Sequence, residues 1–442
     1  MSRIVDLKKI QRHLHQVSSY KIKGRVNELI GLVVRATVPG VRVGDLCFID
    51  THEQTQPIKA EVVGFKDNDV LLMPLGNLEG IAPGSFVTPT GSCLSIPVGE
   101  ALLGRIVDGL GDPLDVDKNG PLDCQEYYPV HRNPPDPLKR VRVTRPISVG
   151  IKVIDALNTV GEGQRIGIFS AAGVGKSTLI GMISRNSEAD INVIGLVGER
   201  GREVRDFLEQ DLGEEGLKRS VVVVATSDQP SLVRAKAAYV TTAIAEYFRD
   251  KGKKVFLMMD SVTRFARALR EIGLAVGEPP ARQGYTPSVF STLPRLLERS
   301  GNSEKGSITA FYTILVAGDD MNEPVADETR SILDGHLVMS RELANRGHFP
   351  AIDVSDSLSR VMANIVDPDH LAASQKLKEV VAAYEKERDL ILIGAYESGT
   401  DPRVDYAIEK IEEVNQFLRQ GVNEPVHLQE STDQLKAIFG DV

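Results

Sequence analysis

Within the nine residues Ser170-Ala171-Ala172-Gly173-Val174-Gly175-Lys176-Ser177-Thr178, the two glycines, the lysine and the closing pair of hydroxyls stand in the order that a phosphate-binding loop uses. The apolar run RIGIFS leading into them reads as a strand, and the LIGMIS that follows reads as a helix. In that setting the backbone of Ala172, Gly173, Val174 and Gly175 and the first turn at Thr178 turn N–H groups toward a triphosphate. Lys176 reaches the β- and γ-phosphates, and the Ser177 hydroxyl ligates Mg²⁺. The loop departs from the common GxxxxGK[ST] pattern by carrying Ser170 in its first position. Gly173 and Gly175 still allow the backbone to approach phosphate closely.

Two acids end apolar strands downstream. KVFLMMD finishes on Asp260, where a carboxylate beside a phosphate loop holds Mg²⁺ directly or through water. INVIGLVGE finishes on Glu199, placed to accept from a water in line with a γ-phosphate. By local criteria alone, a salt-bridged surface role for Glu199 and a solvated role for Arg360 serve equally well.

Positioning these groups needs a parallel sheet. RIGIFS, INVIGLVGE, SVVVVATS, KVFLMMD and SITAFYTILV are near-continuously apolar, as strands covered on both faces are, and helical patterns separate them. Before them, from Gly24 to about Thr90, short β-rich runs punctuated by Val38-Pro39-Gly40, Asp67-Asn68-Asp69 and Ala82-Pro83-Gly84 predict a small barrel or sandwich. From Asp367 the pattern is helical, broken into at least two helices at Gly394, Gly399 and Pro402. The expected division is a basic segment 1–23, a β-barrel 24–90, a P-loop domain 91–366 and a helical domain 367–442. The fold class is α/β: a parallel-sheet P-loop core with an N-terminal β-barrel and a C-terminal helical domain.

Composition excludes some classes. The 442 residues hold 52 Lys and Arg against 61 Asp and Glu, a formal charge of −9, which argues against affinity built on nucleic-acid phosphates. Aromatics make up 5% and Trp is absent, which argues against base-stacking platforms. The acidity is local: residues 366–442 carry 8 basic and 16 acidic side chains. Residues 1–25 hold seven basic side chains against Asp6, with Ile4, Leu7, Ile10, Leu14 and Val17 at helical spacing. Such a helix docks a partner, lies on an anionic membrane or packs on its own domain. Cys47, Cys93 and Cys124 lack metal-ligand spacing and read as reduced thiols. The polar MSRIVDLKKI start and the lack of any long apolar run predict a chain that is neither exported nor membrane-spanning.

The segments GERGREV (198–204), VFLMMDSVTRFA (255–266), GEPPARQGYTPSVFSTLPRLLERSG (277–301) and PAIDVSDSLSR (350–360) resemble the protein-export ATPases of type III secretion systems and bacterial flagella, relatives of the catalytic subunit of rotary ATP synthases. The resemblance runs from about residue 20 to the end and implies that the P-loop core is RecA-like. It implies ATP with Mg²⁺ bound by Lys176, Ser177 and Asp260, water polarised by Glu199, and support of the γ-phosphate region by Arg200. Arg264 occupies the matching position of its motif. Arg360 resembles an arginine finger offered to a neighbour's nucleotide, Phe349 an aromatic on adenine, and Phe417 a second wall of that pocket or a core residue. The resemblance further implies a homohexamer, a stator or regulator protein, a central stalk, secretion chaperones with their cargo, and an export gate. It places the enzyme in the cytoplasm, peripheral to the inner membrane when assembled, with no nucleic-acid partner. Ser170 fits the injectisome branch better than the flagellar one, which usually carries Ala there. Two other readings stand beside this: an RNA-dependent ring ATPase of the transcription-terminator type, and a rotary-synthase-type subunit, against whose silent form Glu199 argues.

Overall fold

A computed structural model describes residues 22–51, 56–316 and 320–439. The basic segment expected over 1–23 lies outside the described residues except for Ile22 and Lys23. The chain divides into two compact units, Met1–Leu94 and Ser95–Val442.

In the first unit six antiparallel strands close a barrel in the order β1-β2-β5-β4-β3-β6. They are β1 (Gly24–Ile30), β2 (Val33–Thr37), β3 (Asp45–Ile49), β4 (Ile58–Lys66), β5 (Asp69–Pro74) and β6 (Phe86–Cys93). Closure pairs β1 with β6 and so leaves no free edge, and it resolves the barrel-or-sandwich alternative in favour of a barrel. Alternate residues turn inward, so Val34, Ala36, Cys47, Ile49, Ala60, Val62, Leu72 and Val87 fill the interior. The expected turn at Asp67-Asn68 is a two-residue hairpin, with Asp67 at φ 55°.

The second unit opens with a ribbon of β7 (Ser95–Val98) and β9 (Glu126–Pro129), with the short β8 (Ile106–Asp108) between them in sequence. Its main sheet uses β10 (Arg165–Ser170), β11 (Ile191–Val197), β12 (Ser220–Ala225), β13 (Lys254–Asp260), β15 (Ser307–Leu315), β16 (Gly335–Met339) and β17 (Ile352–Ser359). The order is β17-β16-β10-β15-β13-β11-β12-β8, and β14 (Gly301–Asn302) pairs β15 off this path. All pairs along it are parallel except β16–β17. The five apolar runs form its centre. The strands β8, β16 and β17 join at its edges, where burial alternates or the strand is only three residues long.

Three helices, Pro368–Leu392, Pro402–Leu418 and Leu428–Ile438, end the chain. Proline takes the first position of the first two, where its missing N–H costs nothing, and Asp367 and Asp401 cap them. Leu377, Val380, Val414, Phe417 and Leu435 from these helices share one hydrophobic core with Ile166, Ile168 and Leu337 of the sheet. The helical region therefore has no separate core.

Candidate functional site

In a parallel sheet, groups that follow the strands collect along the edge formed by the strand C-termini. Registers Ser170↔Leu315, Met259↔Tyr312 and Leu196↔Asp260 set β10, β15, β13 and β11 level, so the loop after β10, Asp260 and Glu199 share that edge. Gly173 (φ 82°) and Gly175 (φ 91°) bend the loop, and Gly175 is the N-cap of the helix Lys176–Asn186. Both glycines adopt the left-handed conformation that other residues resist. The first N–H groups of that helix have no partner within it and point into the loop. Ala172, Gly173 and Ser177 are exposed along the loop, Val174 is buried beneath it, and Thr178 is half-buried and bonds to the Asp211 carboxyl.

Lys176 Nζ lies 2.5 Å from Asp260 Oδ1 and 3.9 Å from Glu199 Oε1. Thr313 Oγ1 donates to the same Asp260 oxygen at 2.7 Å, a contact that no sequence motif announces. One ammonium thus faces two carboxylates in a buried setting. Burial, followed by the charge of Asp260, pushes the Glu199 carboxyl up to about 7, and a hydrogen bond shared with Glu203 draws Glu203 downward. Glu199 Oε1 has no hydrogen-bond partner, nor have the buried Ser170 Oγ and Arg264 Nε. Arg264 packs against Gly198, where an added methyl group would stand 3.0 Å from its Cβ. Ser261 Oγ caps its helix by accepting from Arg264 N at 3.3 Å.

Buried polar atoms left without partners in a cleft are sites where a ligand completes the bonding. A polyphosphate bound on the loop N–H groups matches this donor set. Lys176 would exchange carboxylate for phosphate, and the Asp260 and Ser177 oxygens would be free for a divalent cation. Among the described residues there is no cluster of three or more His, Cys, Asp or Glu side chains placed to hold a metal ion.

The remaining expected residues, Phe349, Arg360, Arg200 and Phe417, lie in four different settings. Phe349 is 46% exposed, and a methyl group on Gly175 would stand 3.6 Å from its ring, so the aromatic lies against the loop. The antiparallel β17 explains both this placement and that of Arg360. Ile352 pairs Met339 at the loop edge of the sheet, and Ser359 pairs Gly335 at the opposite edge. A bulge between Asp353 and Leu358 shortens β17, so Arg360 lies level with Asp334, five residues back along the neighbouring strand from Met339, which at about 3.3 Å per residue is roughly 17 Å from the loop edge. There its backbone N–H donates to Asp334 O, and its guanidinium, bonded to Arg330 O, is exposed. Arg200 is exposed and pairs Glu203 at 3.0 Å instead of turning to Lys176. Phe417 lies in the hydrophobic core.

Residues 26–91 match the ATP synthase alpha/beta family beta-barrel domain, residues 150–359 that family's nucleotide-binding domain, and residues 366–437 the T3SS EscN ATPase C-terminal domain. The flagellum-specific ATP synthase of Bacillus subtilis (strain 168) is 55% identical, over 97% of this chain and 98% of that one. The type 3 secretion system ATPase of Xanthomonas euvesicatoria is 49% identical, over 98% and 97%. The solved structure of the assembled ATPase EscN from the enteropathogenic E. coli type III secretion system superposes with a TM-score of 0.88 at 45% identity, covering 94% of this chain and 99% of that one. EscN solved in complex with its central stalk EscO gives 0.87 at 46%, with the same coverage.

Proposed function

The chain belongs to the family of type III secretion and flagellar export ATPases, and from that premise we propose that it works as a ring whose nucleotide sites are completed between neighbours. The observation that carries this is the placement of β17, which brings Phe349 to the chain's own loop and Arg360 to the far edge of the sheet. Within one subunit that arginine cannot reach the phosphates.

In this reading the incoming triphosphate displaces the Lys176 ammonium from Asp260 onto the β- and γ-phosphates. Ser177 and Asp260 would hold Mg²⁺, which would supply positive charge to offset the negative charge that develops on the phosphate oxygens. Glu199, deprotonated, accepts a proton from the attacking water with the orphaned Oε1 that the fold keeps in place. Arg264 keeps Glu199 oriented and Arg200, swung from Glu203, approaches the γ-phosphate. Phe349 packs on adenine, whereas the buried Phe417 supports the pocket from behind. Arg360 of the adjacent subunit supplies the last positive charge.

A ring of six, a central stalk of the kind solved with EscN, and a stator-like regulator follow as partners of this reading. The work done is release of export substrates from chaperones and their unfolding at a membrane gate, with the enzyme peripheral to the cytoplasmic face. Among the described residues no helix is long and apolar enough to cross a membrane. Ser170 supports an injectisome role and the 55% identity to the Bacillus enzyme supports a flagellar one, so deletion in the source cell, scored for motility and for effector secretion, separates them. Stimulation of turnover by RNA would favour the terminator-like alternative.

The decisive experiment mixes two inactive variants. Lys176→Ala lacks its own loop cation and Arg360→Ala lacks the finger, and a finger charge is worth about 10³-fold or more in comparable enzymes. Each variant alone should be nearly inactive, and the mixture should regain a fraction of wild-type turnover as Lys176→Ala subunits lend Arg360 to intact loops. No recovery in a mixture shown to co-assemble overturns the shared-site reading.

A further inference from the structure

Gln420 stands outside every motif, yet it is buried, 6% exposed, and fully bonded. Its Oε1 accepts from Lys152 N at 2.8 Å, and its Nε2 donates to Gly150 O at 2.9 Å and to Glu424 O at 2.7 Å. Its backbone N–H donates to Phe349 O at 3.0 Å. One residue therefore ties three segments: the turn after the helix Pro402–Leu418, the Gly150–Lys152 turn that leads into the nucleotide-binding core, and the backbone of the aromatic lying against the loop. Glu424 braces the same turn, since its carboxylate accepts from Gly421 N at 2.9 Å and lies 3.8 Å from Lys152 Nζ.

The location gives these bonds a mechanical meaning. The helix Pro368–Leu392 ends in an exposed apolar tip, with Leu392 67% and Ile393 75% exposed, and it packs against the helix Pro402–Leu418, whose continuation reaches Gln420 within two residues. Near its far end Arg388 lies 3.1 Å from Glu342, on the segment that precedes Phe349. The helical region is thus attached to the Phe349 segment by backbone and side-chain bonds as well as through the common core. A residue whose side chain makes three well-formed bonds, and whose backbone N–H, held in place by them, donates to the peptide of a ligand-facing aromatic, fixes where that ring can lie.

We infer that Gln420 is a positioning residue for the nucleotide: it holds Phe349 over the loop and passes displacement of the C-terminal helices to nucleotide affinity. This rests on the reading of Phe349 as the adenine contact. Gln420 touches no phosphate and leaves the Lys176, Glu199 and Asp260 chemistry alone, so its loss acts on binding and spares turnover.

The test is a double-mutant cycle on the full chain, with Gln420→Met, which keeps the volume and removes the side-chain bonds, and Phe349→Ala. Steady-state kinetics with MgATP and MgCTP and thermal melting are read for each variant. Gln420→Met should raise KM for ATP about fivefold, the scale of one lost aromatic contact, with kcat within about twofold and with the preference for ATP over CTP reduced. In the Phe349→Ala background the same substitution should leave KM unchanged. An equal rise of KM in both backgrounds, or a lower Tm with an unchanged KM, overturns the inference. Phe349→Ala with unchanged KM overturns the adenine reading itself, and the inference with it. If Gln420→Met yields no folded chain, Gln420→Glu, which retains the acceptor for Lys152 N–H, carries the same cycle.

Discussion

Two buried sets of charges lie in the nucleotide-binding unit and are treated in opposite ways. Behind the sheet, Arg299 and Glu246, each 1% exposed, form a bidentate pair at 2.9 and 2.7 Å. The third guanidinium nitrogen of Arg299 donates to Val130 O, and Arg249 donates to Arg299 O. Every polar atom of that pair has a partner within the chain. At the strand C-termini, Lys176 is shared between two carboxylates, Glu199 keeps an oxygen without a partner, and the Glu199 proton is held to about 7. Both sets bear the cost of desolvation. Only the first recovers it from its own side chains. The difference separates a structural tie from a site that waits for a ligand, and it needs no knowledge of sequence motifs.

The largest effect should come from the open set. On the proposed reading of Glu199 as the acceptor of the water's proton, Glu199→Gln keeps size and polarity but not that function, so turnover should fall about 10³-fold with nucleotide binding retained. Equilibrium binding of a fluorescent nucleotide beside single-turnover hydrolysis checks both halves, and surviving turnover would assign the water to another residue. The closed set should answer in the other currency. Arg299→Met leaves the buried Glu246 with only the Arg132 guanidinium, 3.7 Å away, in place of its bidentate partner, which costs about 3 kcal/mol of stability. KM for ATP should stay unchanged at temperatures where the variant is folded. Adding Glu246→Leu should return most of the loss, and a double variant no more stable than the single one would show that the pair does more than satisfy itself. If Arg299→Met instead changed turnover and spared stability, the contrast between the two sets would be lost.

The legible part of this molecule was the part whose signal is local. Continuous apolar runs marked the five central strands because both of their faces are covered, and the strand, glycine loop and helix around Lys176 identified themselves by order alone. The edge strands gave no such signal: β16 and β17 alternate inward and outward, and β8 has three residues. The C-terminal region was read as at least two helices and has three, the last behind a short turn whose break carries no glycine pair. In the site, Lys176, Asp260 and Glu199 come together as their strand-end positions required. Thr313 and Glu203 went unseen, since a threonine inside a buried strand and a glutamate on a helix look ordinary until the register sets them beside an acid. Gln420 escaped for the same reason, with partners about 70 and 270 positions away in the chain.

The smallest effect gives the sharpest comparison of the two sets, because it has a sign that can be worked out. Glu199 keeps its proton to about 7 in the folded chain against an ordinary 4.5. The unfolded chain therefore gives that proton up first. Between those two values the unfolded state binds fewer protons than the folded one, so this residue's contribution to stability is present below about pH 4.5 and is lost as the pH rises through 7. Gln carries no such proton. Glu199→Gln should accordingly melt with the wild type at pH 4 and above it at pH 8, by about 1 kcal/mol or roughly 2 °C, once the opposite shift at Glu203 is allowed for. The same ionisation runs the other way in catalysis, where the deprotonated form is the useful one: kcat/KM for ATP should climb about tenfold per unit up to pH 7 and then level. Loss of stability over the pH range in which activity rises is the signature expected of the proposed proton acceptor.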